Sequence, residues 1–193
     1  MENKISISEY LKNRLPTISD KSIEDFKAII TSKTFRKGET LIDYGKKTPV
    51  CFLIRSGYVA SFVKYQDGSD FIRTIYKKYS EIGSLQSLIS NNQSNATYRA
   101  LTDCEVYELN FNEFIQIQNA EYQELYIKIL EKVYMDSEKR INELSALDAT
   151  RRYLALKNDI SDIDNLLPQY QIAKYLNITP VQLSRIRKKI AKM

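Results

Sequence analysis

The stretch that decides the fold is the chain's last, Leu166–Met193, LLPQYQIAKYLNITPVQLSRIRKKIAKM. With Gln169 as the first position, the small Ala173 falls at the fifth, Asn177 at the ninth, and Leu183 and Ile186 at the fifteenth and eighteenth. Those places require close approach of two helices, a left-handed backbone and two core contacts. Asparagine is among the few non-glycine residues that enter the left-handed region cheaply. Ile172 and Leu176, at i and i+4, give the first helix one apolar face. Thr179-Pro180 then opens a second helix, with an N-cap hydroxyl followed by a proline where a missing N–H costs nothing. From Pro180 to about Ala191, Leu183, Ile186 and Ile190 turn inward together. The pattern spells a helix-turn-helix; the competing reading is an ordinary amphipathic helical hairpin.

Charge gathers on the same segment. Beyond Pro168 stand Lys174, Arg185, Arg187, Lys188, Lys189 and Lys192, without one Asp or Glu, whereas the rest of the chain is close to neutral within a net +5. Such asymmetry points to an anionic partner, nucleic acid first and an anionic membrane surface second. A second helix entering a major groove by its N-terminal end presents Val181, Gln182 and Ser184 to base edges and Arg185 to a guanine or a phosphate. Thr179 and the helix start suit a phosphate oxygen, and Gln169 is counted with the DNA-binding residues. Lys188, Lys189 and Lys192 face the DNA backbone or solvent.

Outward from this motif, 193 residues with 43% hydrophobic content suffice for one large domain or two small ones. No apolar run reaches the roughly 18 to 20 residues that span a bilayer, and the first residues lack the apolar centre of a signal peptide, so the expectation is a cytoplasmic protein without a membrane partner. Cys51 and Cys104, at unrelated spacing, make neither a disulfide framework nor a thiolate metal site and are expected to be small buried residues. Histidine is absent. That removes imidazole acid–base catalysis and the usual zinc sites, and no other catalytic arrangement is recognisable. The expectation is no enzyme, no metal and no cofactor.

All five glycines lie between Gly38 and Gly83. Tight reversals need residues that accept positive φ, and helices are weakened by them, so this region reads as strands. CFLIRSGYVASFVKY is rich in β-branched and aromatic residues, QDGS contains a hairpin dipeptide, and strands resume in ATYRALTDCEVYELN. Ahead of them SISE offers a capping box, and Ile23, Phe26 and Ile30 recur at helical spacing. Asn110, with Glu113 three residues on, is read as the cap of a long helix. There Tyr126, Leu130, Val133, Ser137, Ile141 and Leu144 form a seam of coiled-coil type. This stripe either lies along its own domain or pairs two copies of the chain about a two-fold axis. Polar DISDIDN, Asp159–Asn165, reads as a linker.

The whole resembles the Crp/Fnr family of bacterial transcription regulators through KGETLIDYGKK, LIRSGYVASFVKYQDGSD and LNITPVQLSRIRKK. The resemblance implies an α+β fold: an antiparallel β-roll of the cyclic-nucleotide-binding jelly-roll kind at 1–120, a dimerisation helix at 121–147 and an all-α helix-turn-helix domain at 148–193. Few residues follow Ile190, so that domain is expected to lack a full wing, and it either binds DNA through dimer and basic tail or binds weakly. The implied partners are palindromic double-stranded DNA, a second copy, RNA polymerase and a small-molecule effector of unknown identity, if there is one. Family members that bind cyclic nucleotides hold them in a cassette with a Glu after a Gly and an Arg ten residues on. Here Gly83 is kept, but Ser84 stands for the carboxylate and Ser94 for the guanidinium; Leu85 and Asn95 complete the expected effector pocket. Burying a cyclic phosphate without a cation costs several kcal/mol, so tight cAMP or cGMP binding is not expected. The face taken by Arg99 is open. The alternative function is an orphan ligand- or protein-binding dimeric module with weak or no specific DNA binding.

Overall fold

The computed structural model of the chain describes residues 6–64 and 68–191, so Lys192 lies outside the described residues. Two helices come first, α1 (Ile7–Arg14) and α2 (Asp20–Ala28), each started by a serine whose hydroxyl accepts a backbone N–H in the first turn. Ile30, expected on the second helix, instead opens strand β1 (Ile30–Phe35), because α2 stops at Ala28. Then follow β2 (Thr40–Ile42), β3 (Val50–Ser56), β4 (Val59–Lys64), β5 (Asp70–Tyr76), β6 (Glu81–Ile82), α3 (Leu85–Leu88), β7 (Thr97–Ala100) and β8 (Cys104–Asn110). These eight strands form two antiparallel sheets, ordered β1-β8-β3-β6 and β2-β7-β4-β5. The fold is the expected α+β jelly roll followed by helices.

Alternation along the strands creates two apolar faces. Ile54, Val59, Ile82, Tyr98, Ala100 and Val106 fill the inside of the roll. Ala60, Phe62 and Ile72 point the other way and belong to a different core. The N-terminal helices cover a further face, where Leu11, Ile23 and Phe26 meet Leu53, Phe111, Phe114 and Tyr122. Cys104 is buried as expected; Cys51 is only half-buried.

Asn110 caps a short helix, α4 (Phe111–Gln116), and not the long one. The chain breaks at 117–119, and Asn119 caps α5 (Ala120–Ala146) afresh by accepting the N–H groups of Glu121 and Tyr122. Four helices follow: α6 (Ala149–Asp159), α7 (Ile163–Leu166), α8 (Gln169–Tyr175) and α9 (Pro180–Ile190). The stretch read as a linker is part of the core, since Ile160 and Ile163 inside it are buried. Its acidic residues face outward and hid that packing in the sequence.

Gly57, between β3 and β4, has φ +86, and a Cβ there would lie 2.4 Å from the Asp103 carbonyl oxygen. Both the backbone conformation and the contact exclude a side chain. Gly57→Ala is expected to lower stability by about 1–3 kcal/mol, seen as a lower urea midpoint. An unchanged midpoint would show that the turn is free to rearrange.

Candidate nucleic-acid interface

The α8–α9 turn pivots on Asn177, whose φ is +54. Ile178 N–H donates to the Ala173 carbonyl at 2.9 Å and closes the turn. Ile172, Ala173, Leu176 and Leu183 are fully buried beneath it. α9 begins with a reciprocal capping box: Thr179 Oγ1 accepts from Gln182 N–H at 3.2 Å, and Gln182 Oε1 accepts from Thr179 N–H at 2.8 Å. This cap limits what Gln182 can read. Its side-chain oxygen is used, and its Nε2 remains as a donor toward acceptors such as guanine N7 or a phosphate. Gln169 Nε2 donates to the Pro180 carbonyl at 2.9 Å, so Gln169 braces the second helix as well as lying near it.

The outer face of α9 is open. Val181 is 60% exposed, Gln182, Arg185, Lys188 and Lys189 are exposed, and Ser184 is half-buried. Val181, Ser184, Arg185 and Lys188, with Gln169, Tyr170 and Pro180, border a shallow groove between α8 and α9. Arg187, counted in the basic tail, points elsewhere. It pairs with Asp164, and its guanidinium lies 5.6 Å from the Tyr153 ring centroid. Tyr153 OH donates to Asp164 at 2.8 Å, and Lys157 adds a contact at 3.2 Å.

This helical unit sits directly on the roll. Ala60, Phe62 and Ile72 share a core with Tyr153, Ile160, Ile163, Leu167, Ile172, Leu176 and Leu183. Polar links surround it: Lys77 pairs with Asp159 at 2.5 Å, and Lys174 donates to Ser69 at 3.1 Å. From α5, Arg140 stacks 3.9 Å from the Tyr175 ring centroid and donates to the Tyr175 carbonyl.

On α5 itself, Tyr126 packs against Phe111 of its own roll at 5.6 Å between ring centroids. Leu130 and Val133 are half-buried, whereas Ser137, Ile141 and Leu144 are exposed. The exposed apolar stripe also includes Ile127 and Tyr134, which the sequence reading passed over for their neighbours Tyr126 and Val133. In the roll, Ser84 is buried and its hydroxyl has no partner, Ser94 Oγ donates to the Ala96 carbonyl at 2.7 Å, Leu85 and Asn95 are exposed, and the Gly83 carbonyl accepts from Tyr98 OH at 3.0 Å. Arg99 stacks 5.1 Å from the ring centroid of Phe62, a side chain of the core shared with the C-terminal helices.

Residues 32–121 match the cyclic nucleotide-binding domain family. The cAMP-activated global transcriptional regulators CRP of Escherichia coli and Salmonella typhimurium are each 28% identical over 137 residues, covering 69% of this chain and 65% of theirs. Among solved structures, the c-di-GMP responsive global regulator CLP of Xanthomonas campestris matches with TM-score 0.69 and 17% identity, covering 90% of this chain and 92% of that one. FixK2 from Bradyrhizobium japonicum matches with TM-score 0.65 and 17% identity over 85% of each chain. Residues 32–121 are thus similar to a cyclic nucleotide-binding domain, and the chain shares the fold of these regulators.

The two cassette positions, Ser84 and Ser94, are uncharged, and the Arg99 guanidinium lies over the Phe62 ring. No cluster of metal-ligating side chains occurs among the described residues, and none of their helices is long and apolar enough to cross a membrane.

The Asp164 cluster holds α9 to α6 and α7. Partial burial works against its carboxylate, but hydrogen bonds from Tyr153 and Lys157 and the positive charges of Arg187 and Lys157 outweigh it and leave its pKa below the ordinary value. A carboxylate lowered in this way contributes stability above the unfolded-state pKa and loses it as pH falls through the folded-state value. Asp164→Asn is therefore expected to lower the melting temperature at pH 7 and to narrow its gap from wild type near pH 3. A gap that stays constant across that range would rule out the ionised carboxylate as the cause.

Proposed function

We propose that the chain is a homodimeric, sequence-specific DNA-binding transcription regulator, with a sensor at 1–120, a dimerisation helix at 121–147 and a reader at 148–193. One observation carries this reading: a helix-turn-helix closed on a left-handed Asn177 presents Val181, Gln182, Ser184 and Arg185 on an open face with Lys188 and Lys189 beside it. Such a face offers base-edge donors at its N-terminal end and phosphate contacts further along. The exposed stripe from Ile127 through Tyr134, Ile141 and Leu144 supports pairing through α5, because an apolar helix face of that length is stable only when covered. In a two-fold pair the two α9 helices read major-groove faces about 34 Å apart on a palindrome. The roll responds to an effector, but not to cyclic nucleotides through the usual cassette.

Fluorescence anisotropy against genomic fragments tests the reader. Specific binding should concentrate on inverted repeats, with log K falling against log salt by about 0.9 per neutralised phosphate. Arg185→Ala should remove about 1–3 kcal/mol of discrimination at one base position of each half-site. Binding indifferent to sequence and to this substitution would favour an orphan ligand- or protein-binding module instead.

Sedimentation tests the pairing. The wild type is expected to sediment as a dimer at micromolar concentration and Ile141→Glu as a folded monomer with an unchanged circular dichroism spectrum. A monomeric wild type would remove the basis for paired half-sites.

A further inference from the structure

The first turn of α9 has its side-chain acceptors already engaged. Thr179 Oγ1 accepts the Gln182 N–H at 3.2 Å, Gln182 Oε1 accepts the Thr179 N–H at 2.8 Å, and the Pro180 carbonyl accepts from Gln169 Nε2 at 2.9 Å. While this box is closed, Gln182 cannot make the paired contact to adenine N6 and N7, which needs an acceptor and a donor from one amide. Pro180 brings no donor. Besides the Gln182 Nε2, what the turn has left for a base edge is Val181, which is 60% exposed and turned away from the fully buried Leu183. It stands among polar and cationic neighbours. Val181, Ser184, Arg185 and Lys188, at i, i+3, i+4 and i+7, share one face of α9 and border the groove against α8. A valine in a helix is held essentially to one χ1 rotamer, so this side chain is a rigid apolar knob.

The major groove presents hydrogen-bonding groups on every base pair but only one apolar group, the 5-methyl of thymine. We infer that Val181 is a specificity-determining residue and that what it selects is a thymine methyl in each half-site. This inference rests on the reading of the C-terminal helices as a DNA reader, and adds which base the helix start requires and through which atoms. The box supplies the selectivity by subtraction. With the oxygens of Thr179 and Gln182 held by backbone N–H groups, a cytosine or adenine amino group opposite Val181 finds no free carboxamide oxygen to accept it, whereas a methyl finds an apolar surface. Register follows from the helix. Val181 and Arg185 are four residues apart, about 6 Å along the axis, which is about two base steps of the duplex. The required thymine therefore lies within about two base pairs of the position at which Arg185 acts.

The test uses the full chain and the duplex it selects from a random library, with binding read by fluorescence anisotropy. Each thymine of the half-site is replaced in turn, in both halves, by deoxyuridine, which lacks the 5-methyl and keeps every hydrogen-bonding group. One position per half-site should respond, within about two base pairs of the one relaxed by Arg185→Ala. Withdrawing one methyl from water is worth about fourfold in affinity, so replacement in both halves should weaken binding about fifteenfold. Val181→Ser should bind the thymine and deoxyuridine duplexes alike. Its side chain lies outside the core, and an unchanged circular dichroism spectrum checks that the variant is folded. Wild-type binding indifferent to deoxyuridine at every position, or an equal loss in Val181→Ser and wild type, overturns the inference and leaves the DNA-binding reading standing. A library that returns no preferred sequence overturns that reading, and the inference falls with it.

Discussion

The structure depends on one apolar contact, between the face of β4–β5 turned away from the roll and the C-terminal helices. Ala60, Phe62 and Ile72 share a core with Ile163, Ile172, Leu176 and Leu183, so neither surface is complete alone. An antiparallel sheet with one solvated face would carry polar residues at these positions. Fully burying a large aliphatic or aromatic side chain is worth about 1.5–3 kcal/mol. Exposed ion pairs such as Lys77–Asp159 are worth about 0–1 kcal/mol each. The apolar contact therefore sets the strength of the attachment, and Lys77, Lys174 and Arg140 set its orientation. The position of α9 relative to the roll is consequently a property of the sheet it rests on.

The same attachment sorts the positive charge. A count along the sequence treats the C-terminal cations as one pool, but the fold divides them. Lys174 is turned to Ser69 and Arg187 to Asp164 and Tyr153, so both serve the packing of the C-terminal helices. Arg185, Lys188 and Lys189 remain on the open side of α9, beside Val181 and Gln182. In the proposed regulator, electrostatic attraction toward DNA would be concentrated on this helix face, where it would orient approach as well as strengthen it.

How much of this was legible in the sequence depended on whether the governing forces were local. Asn177, Thr179 and Pro180 act through their own backbone preferences, and the turn and cap they predict are present, down to the reciprocal bonds with Gln182. The glycine cluster and β-branched strands located the roll for the same reason. Where tertiary contacts decide, pattern alone failed. The polar surface of Asp159–Asn165 concealed Ile160 and Ile163, which have a core to enter only because the sheet supplies one. At the start of α5, Tyr126 and Ile127 are adjacent apolar residues, and spacing cannot tell which is used by Phe111 of the same roll and which is left outside. Val133 and Tyr134 repeat the ambiguity one heptad on.

The long helix and the reader are not independent parts. Arg140 immediately precedes Ile141 on the exposed apolar stripe of α5, and its guanidinium rests on the Tyr175 ring at the end of α8. A second α5 laid along that stripe comes up against the helix at the level where this cation leaves it. The backbone rotation that seats Ile141 against a partner also carries Arg140, and with it the Tyr175 end of α8. α8 is held to α9 by the buried Ile172, Ala173 and Leu183, so in the proposed dimer such a rotation would bear on both helices together. In the proposed dimer, then, the packing of the two long helices and the placement of α8 and α9 meet at one contact, the Arg140 guanidinium on the Tyr175 ring.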